Sequence, residues 1–280
     1  MATATPDAPA PARPRFALLQ FGNADGTPRT MDYAALGLAP ATLVTEGKAR
    51  DPKDHIKRFA EAARSLPKGS LLAANCEYYG DKNVSIACEL MNAGRKANPS
   101  LELTAYCPEQ TLSKLAANGW DPKGRAASAM TAANTARALK DAGATHASID
   151  AYAYLDDGDR GIKDYLSTDW YDAWGNQVGQ AAAVVETILP PVLWISPRFH
   201  TNGRTIAFDP AKPRENLEPY VPSDVFMRMY LFGEQRGWRS ISLCGWSHEL
   251  KKRTDRGFAP LTDRDLQDLH GLKNTPFHLA

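Results

Sequence analysis

Ser70-Leu71-Leu72-Ala73-Ala74-Asn75-Cys76-Glu77-Tyr78-Tyr79 decides how this chain is read. Its first part is almost unbroken in apolar residues and too short to be a helix. Such a run is a parallel strand covered on both faces. It stops at a carboxylate and two phenols, so polar chemistry begins where the strand ends.

Six further runs have this character: Phe16–Phe21, Ala41–Thr45, Leu101–Cys107, His146–Ala153, Pro191–Ser196 and Ser240–Cys244. Amphipathic segments separate them. His55–Leu66 places Ile56, Phe59, Ala60 and Ala63 at helical spacing behind an Asp51-Pro52 start. Val84–Ala97 carries Ile86, Ala87, Leu90 and Met91 on one face. Ser128–Ala142 ends at Gly143, Asp172–Leu189 at Pro190-Pro191, and Ser223–Arg236 at Gly237.

Strands alternating with helices imply a parallel α/β sheet. An open doubly wound sheet and a closed barrel compete. The first strand is followed by Phe21-Gly22-Asn23-Ala24-Asp25-Gly26, which is not a GxGxxG phosphate loop. Polar and aromatic residues come after many different strands instead. That distribution predicts a TIM-like (β/α) barrel, distorted, with seven or eight parallel strands. Arg204–Phe208 is the candidate eighth. Residues 15–280 are expected to form this single domain. Residues 1–14, rich in Ala and Pro and without an apolar core segment, are expected to be a disordered arm rather than a signal peptide.

The 280 residues carry a net charge of +1 and 43% hydrophobic residues. That balance supplies no field for nucleic acid, and no run approaches a membrane span, so neither nucleic acid nor membrane is an expected partner. Cys76, Cys88, Cys107 and Cys244 form no CxxC pair, which argues against a structural zinc site. A cytoplasmic or virion-associated setting fits these features.

The functional face of a barrel gathers the residues just past the C-terminal end of each strand. Here those are Glu46, Glu77, Tyr78, Tyr79, Tyr106, Glu109, Asp150, Tyr152, Tyr154, Asp156, Asp157, Arg198, Trp246 and Glu249. Carboxylates among aromatic rings suit a carbohydrate, because rings stack on sugar CH faces and carboxylates hold hydroxyls. Cleaving a glycosidic bond needs a carboxylic acid at the leaving oxygen and a second group for the oxocarbenium-like state. Glu77 is the candidate acid; a strand-end ion pair is its bland alternative. Asp150 is the candidate second carboxylate, or a buried structural Asp. Asn75, Tyr78, Tyr79, Tyr106, Tyr152, Tyr154, Arg198 and Trp246 are candidate substrate contacts. Glu109, after Pro108, reads first as a helix cap and second as a cleft residue. Asp156, Asp157 and Asp159 lack EF-hand spacing and read as a solvated loop. Trp194 reads as core. His200 and His248 belong to no HxH or HExxH pattern, so no metal is expected. No GxSxG elbow occurs.

Three segments together resemble the hyaluronidase family of glycoside hydrolases: Glu77-Tyr78-Tyr79, Pro191–Phe199, and Val221–Trp246 with its Gly237-Trp238-Arg239-Ser240-Ile241-Ser242-Leu243-Cys244-Gly245-Trp246 end. The resemblance implies a distorted barrel of seven strands and an Asp-x-Glu motif at a strand end. Asn75 and Glu77 occupy the matching positions, so the acid is kept and its partner is an amide. In that family the Asp orients a substrate N-acetyl group that serves as internal nucleophile. Asn75 can hydrogen-bond such a group but stabilises positive charge less well. The final strand departs too, with Gly-Trp where the family has Trp-Gly. Tyr152 or Tyr154 matches a family tyrosine. The expectation is therefore a polysaccharide-cleaving hydrolase that needs no cofactor. The alternative is a non-catalytic glycan-binding or structural barrel, such as part of a phage particle or a secreted assembly. Oligomeric state stays open.

Overall fold

Seven short strands pair side by side in a computed structural model that describes residues 15–19, 38–47, 49–78, 82–107, 122–151, 168–195 and 223–244. In chain order they are β1 (Arg15–Leu19), β2 (Leu38–Val44), β3 (Leu71–Asn75), β4 (Glu102–Tyr106), β5 (Ala147–Asp150), β6 (Pro191–Ile195) and β7 (Arg239–Cys244). Among the described residues five helices are interspersed with them: α1 (Pro52–Ser65), α2 (Asn83–Ala97), α3 (Pro122–Asp141), α4 (Thr168–Val185) and α5 (Ser223–Glu234).

The strand order is β4-β3-β2-β1-β7-β6-β5, and every ladder is parallel. Strand β2 serves two partners in turn: Leu38–Pro40 pair with β1, and Ala41–Val44 pair with β3. The sheet is not flat. A flat sheet would hold β4 and β7, four places apart, about 19 Å from each other. Instead Arg239, opening β7, forks onto Glu102, opening β4, through Nε to Oε2 at 2.9 Å and a terminal nitrogen to Oε1 at 2.6 Å. His146 Nε2 lies 3.7 Å from the same carboxylate. The two edge strands also meet. The amides of Thr145 and His146 both donate to the Leu103 carbonyl, at 2.9 and 3.2 Å, and the Leu103 amide donates to Thr145 Oγ1 at 2.7 Å. The hydroxyls of Thr104 and Ser148 bond at 2.8 Å.

The expectation of a closed barrel is met in part. The parallel α/β sheet and its seven strands stand, but among the described residues no ladder joins β4 to β5. Strand β5 covers Ala147–Asp150, and the bonds described between the two edges lie near their starts; the end of the expected His146–Ala153 run, past Ala151, lies outside the described residues. The candidate eighth strand, Arg204–Phe208, and the residue 1–14 arm lie outside the described residues.

Period-two alternation splits the strand side chains into two sets. Phe16, Ala41, Leu71, Ala73, Val192, Trp194 and Ile241 pack on each other inside the curl, with Tyr106 against them. Leu72, Ala74, Leu103, Ala105, Ile149, Leu193 and Ile195 face the helices in a larger cluster. Both faces of β3 are apolar for this reason.

The helices behave as their sequences dictate. Asp51 caps α1, its carboxylate accepting from the Lys53 amide at 3.0 Å, ahead of Pro52. Helix α3 gives way to Gly143 in the left-handed region, with φ of 100°, where a side chain would be strained. Asn98 follows α2 and donates to the carbonyls of Ala63 and Leu66, satisfying the end of α1. No described helix is long and apolar enough to cross a membrane.

The Glu102–Arg239 pair is three-quarters or more buried on both sides, so deleting one partner strands the other. Arg239→Ala should therefore destabilise the protein by about 2 kcal/mol in urea denaturation. Adding Glu102→Gln should cost much less than the sum of the single changes. Strict additivity would mean that the pair does not hold the curl.

Candidate functional site

The strand rows carry past the sheet into the residues beyond it. Asn75 is the last residue of β3 and pairs in register with Tyr106, the last of β4. The Tyr106 ring meets Trp194 of β6 edge-on, with centroids 6.1 Å apart. Trp194 is 3% exposed, and its indole N–H has no hydrogen-bond partner among the described residues. Trp194 stands in register with Asp150, the last residue of β5. Strands β3, β4 and β5 end at Asn75, Tyr106 and Asp150, and β6 ends one residue past Trp194. For Asp150 only the backbone is described.

Glu77 stands just beyond this level. Its side chain is exposed, and Asn75 Nδ2 donates to its Oε2 at 3.0 Å, which ties the two residues together. Its backbone lies past the β3–β4 ladder, whose final bond runs from the Cys76 amide to the Tyr106 carbonyl. The next peptide groups need other partners. Both come from the loop after β2: the Glu77 amide donates to Glu46 Oε1, and the Glu77 carbonyl accepts from Arg50 at 3.2 Å. Glu46 is 8% exposed. Arg50 adopts φ of 48°, a strained conformation for a residue with a side chain.

Tyr78 requires a correction. Expected in the cleft, it turns the other way, because alternation sends residues 76 and 78 to the helix side. It is buried against α1, and its hydroxyl bonds His55 Nδ1 at 2.9 Å. The other ring nitrogen of His55, Nε2, lies 3.0 Å from the Val44 carbonyl. A carbonyl can only accept, so Nε2 carries the proton and Nδ1 accepts from Tyr78. His55 is fully buried, and burial lowers its pKa below the ordinary value, outweighing the Val44 carbonyl and the Glu46 charge that act to raise it. Burial likewise pushes the Tyr78 phenol up to about 12. Both groups are neutral at pH 7.

Of the sequence candidates, the structure thus brings together Asn75, Glu77 and Tyr106, and sets Tyr78 in the core. Tyr79, Glu109, Tyr152, Tyr154, Arg198 and Trp246 lie outside the described residues. Among the described residues no group of three His, Cys, Asp or Glu side chains is placed to hold a metal ion. Sequence reasoning assigned no role to Arg50 or His55 and did not single out Glu46 from the other strand-end residues. His55 precedes Phe59 by one helical turn, and that spacing is the signal that it shares the buried face. Nothing local marks Arg50.

No family model matches the chain, and no curated protein matches it. Solved structures do match. A GH10 xylanase of Thermobacillus composti aligns with a TM-score of 0.41 and 15% identity, covering 76% of this chain and 65% of its own. Morphinone reductase in complex with tetrahydroNAD aligns with a TM-score of 0.40 and 11% identity, covering 86% and 80%. Bee venom hyaluronidase aligns with a TM-score of 0.38 and 8% identity, covering 78% and 64%. At these scores and identities the likenesses do not bear on activity, and the proteins themselves range from hydrolases to a reductase.

The His55 bonds set a pH dependence. The folded-state pKa is lowered, so the stability these bonds supply is complete above the unfolded value near 6.5 and is lost as pH falls through the folded pKa. Between those limits stability should fall by up to about 1.4 kcal/mol per pH unit from this group. Urea titrations of wild type and His55→Gln should diverge below pH 6.5, the wild type being the steeper. Parallel curves would mean that His55 does not titrate in the fold.

Proposed function

We propose that the curled sheet closes as a TIM-type barrel and that the protein is a glycoside hydrolase acting on a polysaccharide, with Glu77 as general acid. One observation carries this reading. An exposed carboxyl stands at a strand end, oriented through its side chain by Asn75 and through both backbone groups by Glu46 and Arg50. An exposed side chain held so firmly is arranged for something outside the protein. Asn75 donates to Oε2, which leaves Oε1 to carry the proton that a leaving glycosidic oxygen takes.

The surroundings suit a sugar. Tyr106, half-buried and in register with Asn75, is the proposed aromatic surface, and its ring is backed edge-on by the buried Trp194. Asp150, in register with Trp194, is the proposed second carboxylate. Where the substrate carries an acetamido group, that group is the alternative nucleophile, with the Asn75 amide near enough to Glu77 to help orient it. Tyr79, Tyr152, Tyr154, Arg198, Glu109 and Trp246 are the further proposed contacts. No cofactor is needed for this chemistry.

A second reading is a barrel that binds glycan without cutting it. Asn75 favours it, since an amide replaces the carboxylate that the resembling family places two residues before its acid.

Glu77→Gln separates the two. Because Glu77 is exposed, the change should alter stability by no more than about 0.5 kcal/mol. Turnover of a panel of amino-sugar and acidic polysaccharides should fall by about 10²–10⁴-fold. Wild-type turnover in the variant would remove Glu77 as the acid. Wild-type binding without any cleavage would establish the second reading.

A further inference from the structure

Glu77 is the first residue beyond the β3–β4 ladder to leave both of its peptide groups without a strand partner. We propose that the loop after β2 is a clamp for that residue and that Glu46 is its positioning residue, an inference that rests on Glu77 being the acid. The loop is itself anchored to α1. His55 Nε2 donates to the Val44 carbonyl at 3.0 Å, and Arg58 donates to the Thr45 carbonyl at 2.9 Å while its Nε holds Asp54 at 2.7 Å. Glu46 comes next. Its carboxylate is buried, which is costly for a charge unless strong hydrogen bonds compensate. It accepts from the Glu77 amide, and charged acceptors make such bonds roughly twice as strong as neutral ones. Arg50, four residues on, takes the Glu77 carbonyl from the other side.

The chain direction at position 77 is therefore set by two side chains of a neighbouring loop. The side-chain bond from Asn75 then fixes where the carboxyl points. Removing Glu46 frees the peptide and lets the carboxyl drift, although Glu46 never touches substrate. A misplacement of about 1 Å costs a general acid on the order of 10²-fold in rate. Binding contacts elsewhere in the cleft are untouched, so the loss falls on kcat.

The test compares Glu46→Ala, which removes the acceptor, with Glu46→Gln, which keeps an acceptor oxygen and removes the charge. Two quantities are read: hydrogen exchange at the Glu77 amide by NMR, and kcat and KM on the best polysaccharide of the panel. In Glu46→Ala the amide should exchange at least about tenfold faster. Its kcat should fall by about 10–100-fold with KM nearly unchanged. Glu46→Gln, with a neutral and weaker acceptor, should fall between Glu46→Ala and wild type in both. Faster exchange with wild-type kcat overturns the positioning role. Equal damage from Gln and Ala overturns it too, because the charge rather than the hydrogen bond would then matter. If Glu46→Ala does not fold, Glu46→Asp, one methylene shorter, takes its place with the same readouts. Absence of wild-type turnover on every polysaccharide overturns the catalytic reading before any variant is made. The exchange measurement then still decides whether Glu46 holds residue 77, and unchanged exchange in Glu46→Ala would overturn that as well.

Discussion

The guanidinium of Arg239 gripping the carboxylate of Glu102 is the constraint on which the rest of the architecture depends. These residues open two strands that an open sheet would hold far apart. Bringing them into bidentate contact forces the sheet to curl, and the curl creates an inside. Tyr106 of β4 and Trp194 of β6, five places apart in the strand order, then meet edge-on, beside the cluster of Phe16, Leu71, Val192 and Ile241. The hydroxyl pair of Thr104 and Ser148 and the bonds from Thr145 and His146 to Leu103 work in the same direction at the seam. Polar groups hold the strand starts, apolar groups fill the middle, and Asn75, Tyr106 and Glu77 stand at the opposite ends.

At those ends the division of labour is different. Asn75, Tyr106 and Trp194 are held by the sheet, so their positions are rigid. Glu77 lies one step past it and is held by side chains. The segment Val44–Glu46 is tied to α1 through His55 and Arg58, and then ties Glu77 in its turn. His55 and Tyr78 complete this layer as a neutral, buried hydrogen-bonded pair. A group that must face solvent cannot be positioned by burial, so its supports are buried instead.

The run Leu71–Cys76 was legible as a strand covered on both faces because every one of its residues is short or apolar. The helix ends at Gly143 and Gly237 were legible because few other residues adopt positive φ without strain. Alternation puts Asn75 and Glu77 on one side, a reading open to the sequence that was not drawn from it. The same rule, applied to Tyr78, would have removed it from the cleft; its phenol suggested a sugar contact, and residue type outweighed register. The function of His55 was hidden inside an ordinary helical pattern.

What the sequence determined by itself is the list of elements, their parallel pairing and the fact that acids and rings stand after the strands. These are local properties, written in runs of four to twenty residues. Tertiary structure alone decided which of those ends meet. Glu46 reaches an amide 31 residues away, and Arg239 a carboxylate 137 residues away. Such partners are chosen by strand order and sheet curvature, and no local pattern of side chains encodes a distance between elements that have not yet packed.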